Sequence, residues 1–245
     1  MRQKFGQHFL SSEGILVRIA DLICTRPGMR VLEIGPGRGV LTRKLIARAG
    51  HVTSIEIDPE LVGYLRSEFA DTSNFELVAG DAMDFDFRQW NPDVVAGNLP
   101  YYVATPLIEK TVRKGFPGIF LIQKEVAQRL AAGPGSRDYG YLSVATRLFC
   151  DPDLVFTVPP GAFRPPPKVD SAVVRLTLAD RGLDDRDSLL DFFSQCFRQK
   201  RKTLRNNLRG KFAIADQPEA ALRAEQLSFE ELAGLWRRLK GGPPD

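Results

Sequence analysis

Apolar residues in the first two thirds of the chain follow two rhythms. Short unbroken runs at Val31–Ile34, Val52–Ile57, Phe75–Val78, Val94–Ala96 and Gly118–Ile122 read as buried parallel strands. Segments of helical periodicity lie between them at Val40–Ala49, Pro59–Phe69 and Pro106–Lys114. An earlier helix opens at Leu10-Ser11-Ser12-Glu13, and Ile15, Leu16, Ile19, Leu22 and Ile23 keep its spacing as far as Pro27-Gly28. Strand and helix alternating this often predict an α/β fold with a doubly wound parallel sheet, whose ligand site lies at the carboxyl ends of the strands. Beyond Leu178 a polar stretch, Ala179 to Asp187, leads into mostly helical segments up to Lys240. The expected division is a larger domain over 1–179 and a small helical domain over 180–245.

Composition adds little to this and excludes several classes. The 245 residues are 43% hydrophobic, and 34 Lys and Arg against 30 Asp and Glu leave a net charge of +4. That excess is modest, so its distribution matters more than its size. Cys24, Cys150 and Cys196 stand far apart with no His at ligand spacing. They read as reduced, buried or half-buried thiols, and no metal is expected. Met1 to Gly6 lacks the apolar run of a signal peptide, and no stretch approaches bilayer-spanning length. A soluble cytoplasmic protein with no membrane partner is the expectation, and a monomer is the expected state.

Chemistry enters at the strand ends. The first strand runs into Glu33-Ile34-Gly35-Pro36-Gly37-Arg38-Gly39, a G-x-G-x-G turn rather than the G-x-G-x-x-G of dinucleotide binders. Gly35 and Gly37 let a ligand approach the backbone closely. A carboxylate at Glu33 suits a cationic ligand better than a pyrophosphate. Glu56 ends the second strand, 19 residues after Gly37, where a carboxylate can accept from both ribose hydroxyls. Asp81 follows the third strand, where it can accept from an adenine amino group. Each acid also has a plainer reading, as a solvated strand end or a helix cap. Three such features in order on three successive strand ends favour S-adenosylmethionine, which carries an ammonium and a sulfonium and no phosphate. The fold expected is therefore a Rossmann-like S-adenosylmethionine-dependent methyltransferase sheet.

The fourth strand leads into Asn98-Leu99-Pro100-Tyr101. An aryl amine such as adenine N6 is a poor nucleophile because its lone pair is delocalised into the ring. The Asn98 side-chain oxygen and the Leu99 carbonyl can accept both amine protons and draw that lone pair out. Pro100 stiffens the turn, and Tyr101 offers a flat face for an extruded base. Alone, the same four residues also read as a turn with Tyr101 in the core. Phe163, held by Arg164-Pro165-Pro166-Pro167, is placed for a second aromatic wall, with a core anchor as the competing reading. Residues 198–211 carry seven positive charges and no acid. Phe193, Phe197, Leu204 and Leu208 fall on one side at helical spacing, and Arg198, Lys202, Arg205 and Arg209 on a neighbouring face. With Arg201, this predicts a basic helix that contacts RNA phosphates.

Residues 4 to 211 resemble the small-subunit ribosomal RNA adenine N6,N6-dimethyltransferase family (KsgA type). The matching strings are Phe5 to Leu10, Glu33 to Gly39, Gly80-Asp81-Ala82, Gly97 to Tyr102, Gln123 to Val126, Tyr139 to Ser143, Phe163 to Val174 and Arg201 to Leu208. The resemblance implies that the segment with His8 and Leu10 closes over the methionine end of the cofactor, with His8 standing where many relatives have Asn. It further implies that Gly35 contacts the cofactor through its backbone, Glu56 the ribose and Asp81 the adenine, while Asn98 lies between cofactor and base. It assigns Tyr101 and Phe163 to stacking on the target adenine. The implied activity is dimethylation of two adjacent adenosines in the 3′-terminal hairpin loop of small-subunit (16S) ribosomal RNA, within an assembling 30S particle. The rivals are the erythromycin-resistance branch acting on large-subunit RNA, a DNA adenine methyltransferase, and an assembly factor that kept only the fold.

Overall fold

The computed structural model describes residues 8–100 and 103–240. In chain order its elements are β1 (Phe9–Leu10), α1 (Glu13–Ile23), β2 (Arg30–Ile34), α2 (Val40–Ile46), β3 (His51–Glu56), α3 (Pro59–Glu68), β4 (Phe75–Ala79), β5 (Val94–Asn98), α4 (Ala104–Arg113), β6 (Gly118–Gln123), α5 (Lys124–Ala131), α6 (Tyr141–Arg147), β7 (Cys150–Val158), β8 (Phe163–Arg164), β9 (Ser171–Leu178), α7 (Arg186–Cys196), α8 (Leu204–Leu208) and α9 (Phe229–Lys240). The chain divides into two compact units, residues 1–127 with 152–178 and residues 128–151 with 179–245. The junctions fall at 127/128, 151/152 and 178/179, so residues 128–151 group with the helical segments although β8 and β9 still follow them.

The first unit is built on a seven-stranded sheet in the order β4-β3-β2-β5-β6-β9-β7. The five strands expected from the apolar runs all form and pair in parallel. The strand at Ser171–Leu178 also forms, but antiparallel to β6, so the sheet is mixed rather than wholly parallel. β7 had no clear periodicity in the sequence. Its Cys150-Asp151-Pro152-Asp153 start carries two acids and a proline, which only an edge strand tolerates, and β7 is one of the two edge strands.

Helix α1 shows why the core forms. Leu16, Ile19, Ala20 and Ile23 fall at i, i+3, i+4 and i+7, and all four are buried. They join Val31, Val52, Val94, Ile119 and Val173 in one cluster against the sheet. α3 begins on Asp58, whose carboxylate accepts from the Glu60 amide, with Pro59 in the first helical turn.

From β2 the chain winds outward through β3 and β4, then returns to β5 on the other flank of β2. That reversal opens a crevice at the carboxyl ends of β2 and β5. The two strands pack closely there. A Cβ on Gly97 would sit 2.4 Å from the Ile34 carbonyl oxygen and 3.1 Å from Leu99 Cδ2. Gly97→Ala is therefore expected to cost about 1–3 kcal/mol of stability, since backbone must move to admit the methyl group. Thermal melting checks it, and an unchanged Tm would contradict the close approach.

The helical unit has its own core. Leu189, Phe192, Phe193 and Cys196 of α7 are buried with Leu204 and Leu208 of α8 and with Phe229, Leu232 and Leu235 of α9. Phe193 meets Phe229 edge-on at 5.7 Å, and Phe192 meets Phe212 at 5.2 Å. Tyr139 is buried, stacks edge-on against Phe197 and donates its hydroxyl to the Leu227 carbonyl at 2.9 Å. The inserted residues 128–151 are thereby tied into this unit. The three thiols are unpaired, with Cys24 half-buried and Cys150 and Cys196 buried, and burial pushes Cys24 up to about 11 and Cys150 up to about 12.

Candidate active site

The crevice is lined by the ends of β2 to β6 and by β1 and β8. Its cofactor side starts at the glycine turn. Gly35 and Gly37 have φ of 68° and 59°, the left-handed region that favours glycine. A Cβ on Gly35 would meet nothing within 4 Å, so open space lies above its backbone. A Cβ on Gly37 would come within 2.9 Å of the Phe9 ring, which packs directly on the turn.

Two buried carboxylates border the same crevice. Glu33 is 1% exposed, and its Oε2 accepts from Thr42 Oγ1 and Ser54 Oγ, each at 2.7 Å. Burial raises its pKa to about 7; the two hydroxyls oppose the shift and the Glu56 carboxylate adds to it. Glu56 is 2% exposed, with Oε2 accepting from the Gly37 amide and Oε1 from the Asp58 amide, both at 3.0 Å. Burial raises its pKa as well, against those amide bonds. Each Glu56 oxygen keeps acceptor capacity after one amide bond. Neither acid has an ion-pair partner among the described residues. Burying carboxylates without a cation is costly, and a cationic ligand carrying hydroxyl donors relieves that cost. The residues present fit S-adenosylmethionine on this ground.

Asp81 is exposed at the rim, where its Oδ1 accepts from the Met83 amide at 2.8 Å. Lys110 of α4 holds the same loop, donating to the Ala82 carbonyl at 2.9 Å and the Met83 carbonyl at 2.6 Å. Burial lowers the Lys110 pKa. Sequence reasoning missed Lys110, because a lysine on an amphipathic helix carries no signal of what its ammonium will reach.

The raised Glu33 pKa has a defined consequence for pH. The folded value lies above the unfolded one, so protonation favours the fold. That contribution is fully present below the unfolded value of 4.5 and is lost as pH rises towards the folded value of about 7. Relative to wild type, Glu33→Gln is expected to gain about 3 kcal/mol between pH 4.5 and 8, less whatever relaxation the site allows. Denaturant melts of both proteins across that range check it, and a difference independent of pH would contradict it.

On the other side, β5 ends at Asn98. Its Nδ2 donates to the His8 carbonyl at 3.0 Å. A carbonyl can only accept, so the amide orientation is fixed and Oδ1 is left as an acceptor. The Leu99 side chain is buried and its amide donates to the Leu121 carbonyl at 3.0 Å. The Pro100 carbonyl accepts from the Val103 amide at 3.1 Å, which closes the turn into α4. Tyr101, assigned to the catalytic turn and to base stacking, lies outside the described residues, as does Tyr102.

β1 pairs antiparallel with β8, setting Phe9 opposite Arg164 and Leu10 opposite Phe163. Leu10 and Phe163 both border the crevice, yet they are 3% and 1% exposed and belong to the core cluster. Phe163, expected as a second aromatic wall, stands with its ring as a packed edge of the crevice. Leu10 likewise directs its side chain into the core.

The basic segment also departs from expectation. It is not one helix with a basic face. α7 stops at Cys196, a turn spans residues 197–203, and the short α8 restarts after Thr203. Asn207 Nδ2 donates to the Cys196 carbonyl at 2.8 Å and the Gln199 carbonyl at 3.2 Å, replacing the helical bonds that a continuous helix would make. Leu204 and Leu208 are buried, while Arg198, Arg201, Lys202, Arg205 and Arg209 are exposed. Of these, Arg205 donates to the Ala215 carbonyl, and none has an acidic partner among the described residues.

A mixed seven-stranded sheet, a glycine turn after β2, acids at the ends of β2, β3 and β4, and the Asn98-Leu99-Pro100 segment after β5 define an S-adenosylmethionine-dependent methyltransferase. A family model described as Ribosomal RNA adenine dimethylase matches residues 1–227, and the chain belongs to that family. Two similar curated proteins are both named Ribosomal RNA small subunit methyltransferase A. One, from Pseudomonas fluorescens, is 40% identical, with 99% of this chain and 95% of the relative covered. The other, from Pseudomonas aeruginosa, is 42% identical, with 98% and 96% covered. Among solved structures, a dimethyladenosine transferase from Plasmodium falciparum matches with a TM-score of 0.83 at 27% identity, covering 95% of this chain and 98% of that one. The 23S rRNA methyltransferase ErmE matches with a TM-score of 0.75 at 28% identity, covering 95% and 99%.

Proposed function

We propose that this enzyme dimethylates N6 of two adjacent adenosines in the 3′-terminal hairpin loop of small-subunit ribosomal RNA, working as a monomer on an assembling 30S particle in the cytoplasm. The observation that carries the reading is the Asn98 amide, held by the His8 carbonyl with its oxygen left to accept from an amine. The small-subunit branch is preferred to the large-subunit one because the curated relatives at 40–42% identity are small-subunit enzymes, whereas the ErmE structure stands at 28%.

S-adenosylmethionine, when bound, supplies an electrophilic methyl group. Glu33 faces its cationic end, Gly35 and Gly37 give it backbone access, Glu56 accepts from its ribose and Asp81 from its adenine. The segment with His8 and Leu10 covers the methionine end. Asn98 Oδ1 and the Leu99 carbonyl accept the two N6 protons of the target, which localises its lone pair. Tyr101 stacks on the extruded base, and Phe163 bounds its far side. Most of the acceleration comes from positioning and fixed dipoles, and no strong base is required, because the alkylated amine is acidic enough to lose its proton to water.

Arg198, Arg201, Lys202, Arg205 and Arg209 contact RNA phosphates, which set register without reading bases. Replacing Arg201, Lys202 and Arg209 together by Ala is expected to weaken small-subunit binding about tenfold and to shallow the salt dependence by two to three charges, roughly one for each phosphate no longer neutralised. An unchanged salt slope would count against RNA binding by this segment. For the activity itself, unmodified small subunits are incubated with labelled S-adenosylmethionine and digested to nucleosides. Label in N6,N6-dimethyladenosine supports the reading; label in another nucleoside overturns it.

A further inference from the structure

We propose that His8 is a positioning residue, which clamps the first strand to the proline loop and thereby holds Asn98 in its acceptor orientation. The inference rests on the assignment of Asn98 given above. The Asn98 amide takes its orientation from the backbone carbonyl of His8. That carbonyl is only as fixed as the segment carrying it, and β1 is two residues long. On one side the segment is secured by the Ser11 and Ser12 amides, which donate to the Ala162 carbonyl at 2.8 and 3.3 Å. On the other side the imidazole takes over. His8 Nδ1 lies 2.9 Å from the Pro165 carbonyl, so Nδ1 carries the proton and donates across to the loop after β8.

The same short segment touches three parts of the crevice. His8 reaches Asn98 through its carbonyl, Phe9 lies against Gly37 of the cofactor turn, and Leu10 pairs with Phe163. A loosened His8 end therefore lets the Asn98 amide rotate or drift while the sheet and the buried acids stay in place. The expected defect is larger in the chemical step than in cofactor affinity, because the buried acids and the glycine turn still hold the cofactor. The Nδ1 proton is present in both the neutral tautomer and the imidazolium, so the clamp does not require a charged His8.

Single-turnover methyl transfer on unmodified small subunits at saturating S-adenosylmethionine tests this, with cofactor Kd measured in parallel. His8→Ala should slow transfer about tenfold and leave Kd within about threefold, the scale expected when a reacting group is misplaced and not removed. His8→Asn should restore most of the rate, since its side-chain amide can offer an N–H to Pro165. In an Asn98→Ala background, His8→Ala should cost nothing further, because residues acting as a unit are not additive. The same loss in both backgrounds, or a loss confined to Kd, overturns the clamp. A wild-type rate for Asn98→Ala alone would overturn the assignment of Asn98 itself, and with it the clamp, by a measurement that never touches His8.

Discussion

Asn98→Ala is expected to lower the methyl-transfer rate about 10²–10³-fold, the usual cost of removing one preorganised polar group that acts on the reacting atom. Cofactor Kd should move by less than about threefold, because the buried acids and the glycine turn stay in place. The expectation follows from geometry. Asn98 stands at the end of β5, next to β2 and its glycine turn, so its acceptor borders the crevice. Its amide is pinned by a carbonyl that can only accept, and Gly97 beside it leaves no room for the backbone to drift. Rapid-quench measurement with labelled donor separates the two quantities. A variant with wild-type rate would remove Asn98 from the reaction.

The second large effect is on cofactor affinity. Glu56→Ala is expected to raise the S-adenosylmethionine Kd about 10²-fold, since the two ribose hydrogen bonds proposed for its carboxylate are removed and each is worth about 1.5–3 kcal/mol before relaxation. The Gly37 and Asp58 amides lose their acceptor as well, so the turn loosens where the ligand sits. The stability of the free protein should change little, because removing a buried carboxylate that has no ion-pair partner offsets the loss of the two amide bonds. Calorimetric titration and a melt without cofactor read both. A Kd within twofold of wild type would show that Glu56 only braces the turn.

How much of the fold and site was legible in the sequence depended on the range of the interaction. The apolar runs marked β2 to β6 because buried parallel strands need uninterrupted hydrophobic residues. The position of Glu33, Glu56, Asp81 and Asn98 along one crevice was legible with them, since strand ends are where such a sheet binds ligands. β7 was not, because an edge strand with Asp151, Pro152 and Asp153 has no alternation to detect. The basic segment was misread for a different reason. Its charges recur at helical spacing, but α7 ends at Cys196, where the Asn207 side chain donates to the Cys196 and Gln199 carbonyls, bonds that periodicity does not encode. The pairing of β1 with β8 joins residues more than 150 positions apart through two residues each, and no local pattern reports it. The role of Lys110 was hidden likewise, since its ammonium acts on carbonyls 27 and 28 residues away. Phe163 was open to two readings, and its ring both packs in the core and borders the crevice.

The decisive measurement offers labelled S-adenosylmethionine and the protein to three substrates: small subunits lacking the modification, large subunits, and DNA. The expected result is label in the small subunits alone, recovered as N6,N6-dimethyladenosine at two adjacent positions of the 3′-terminal hairpin loop. Label in large subunits or DNA, with none in small subunits, would contradict the proposed function.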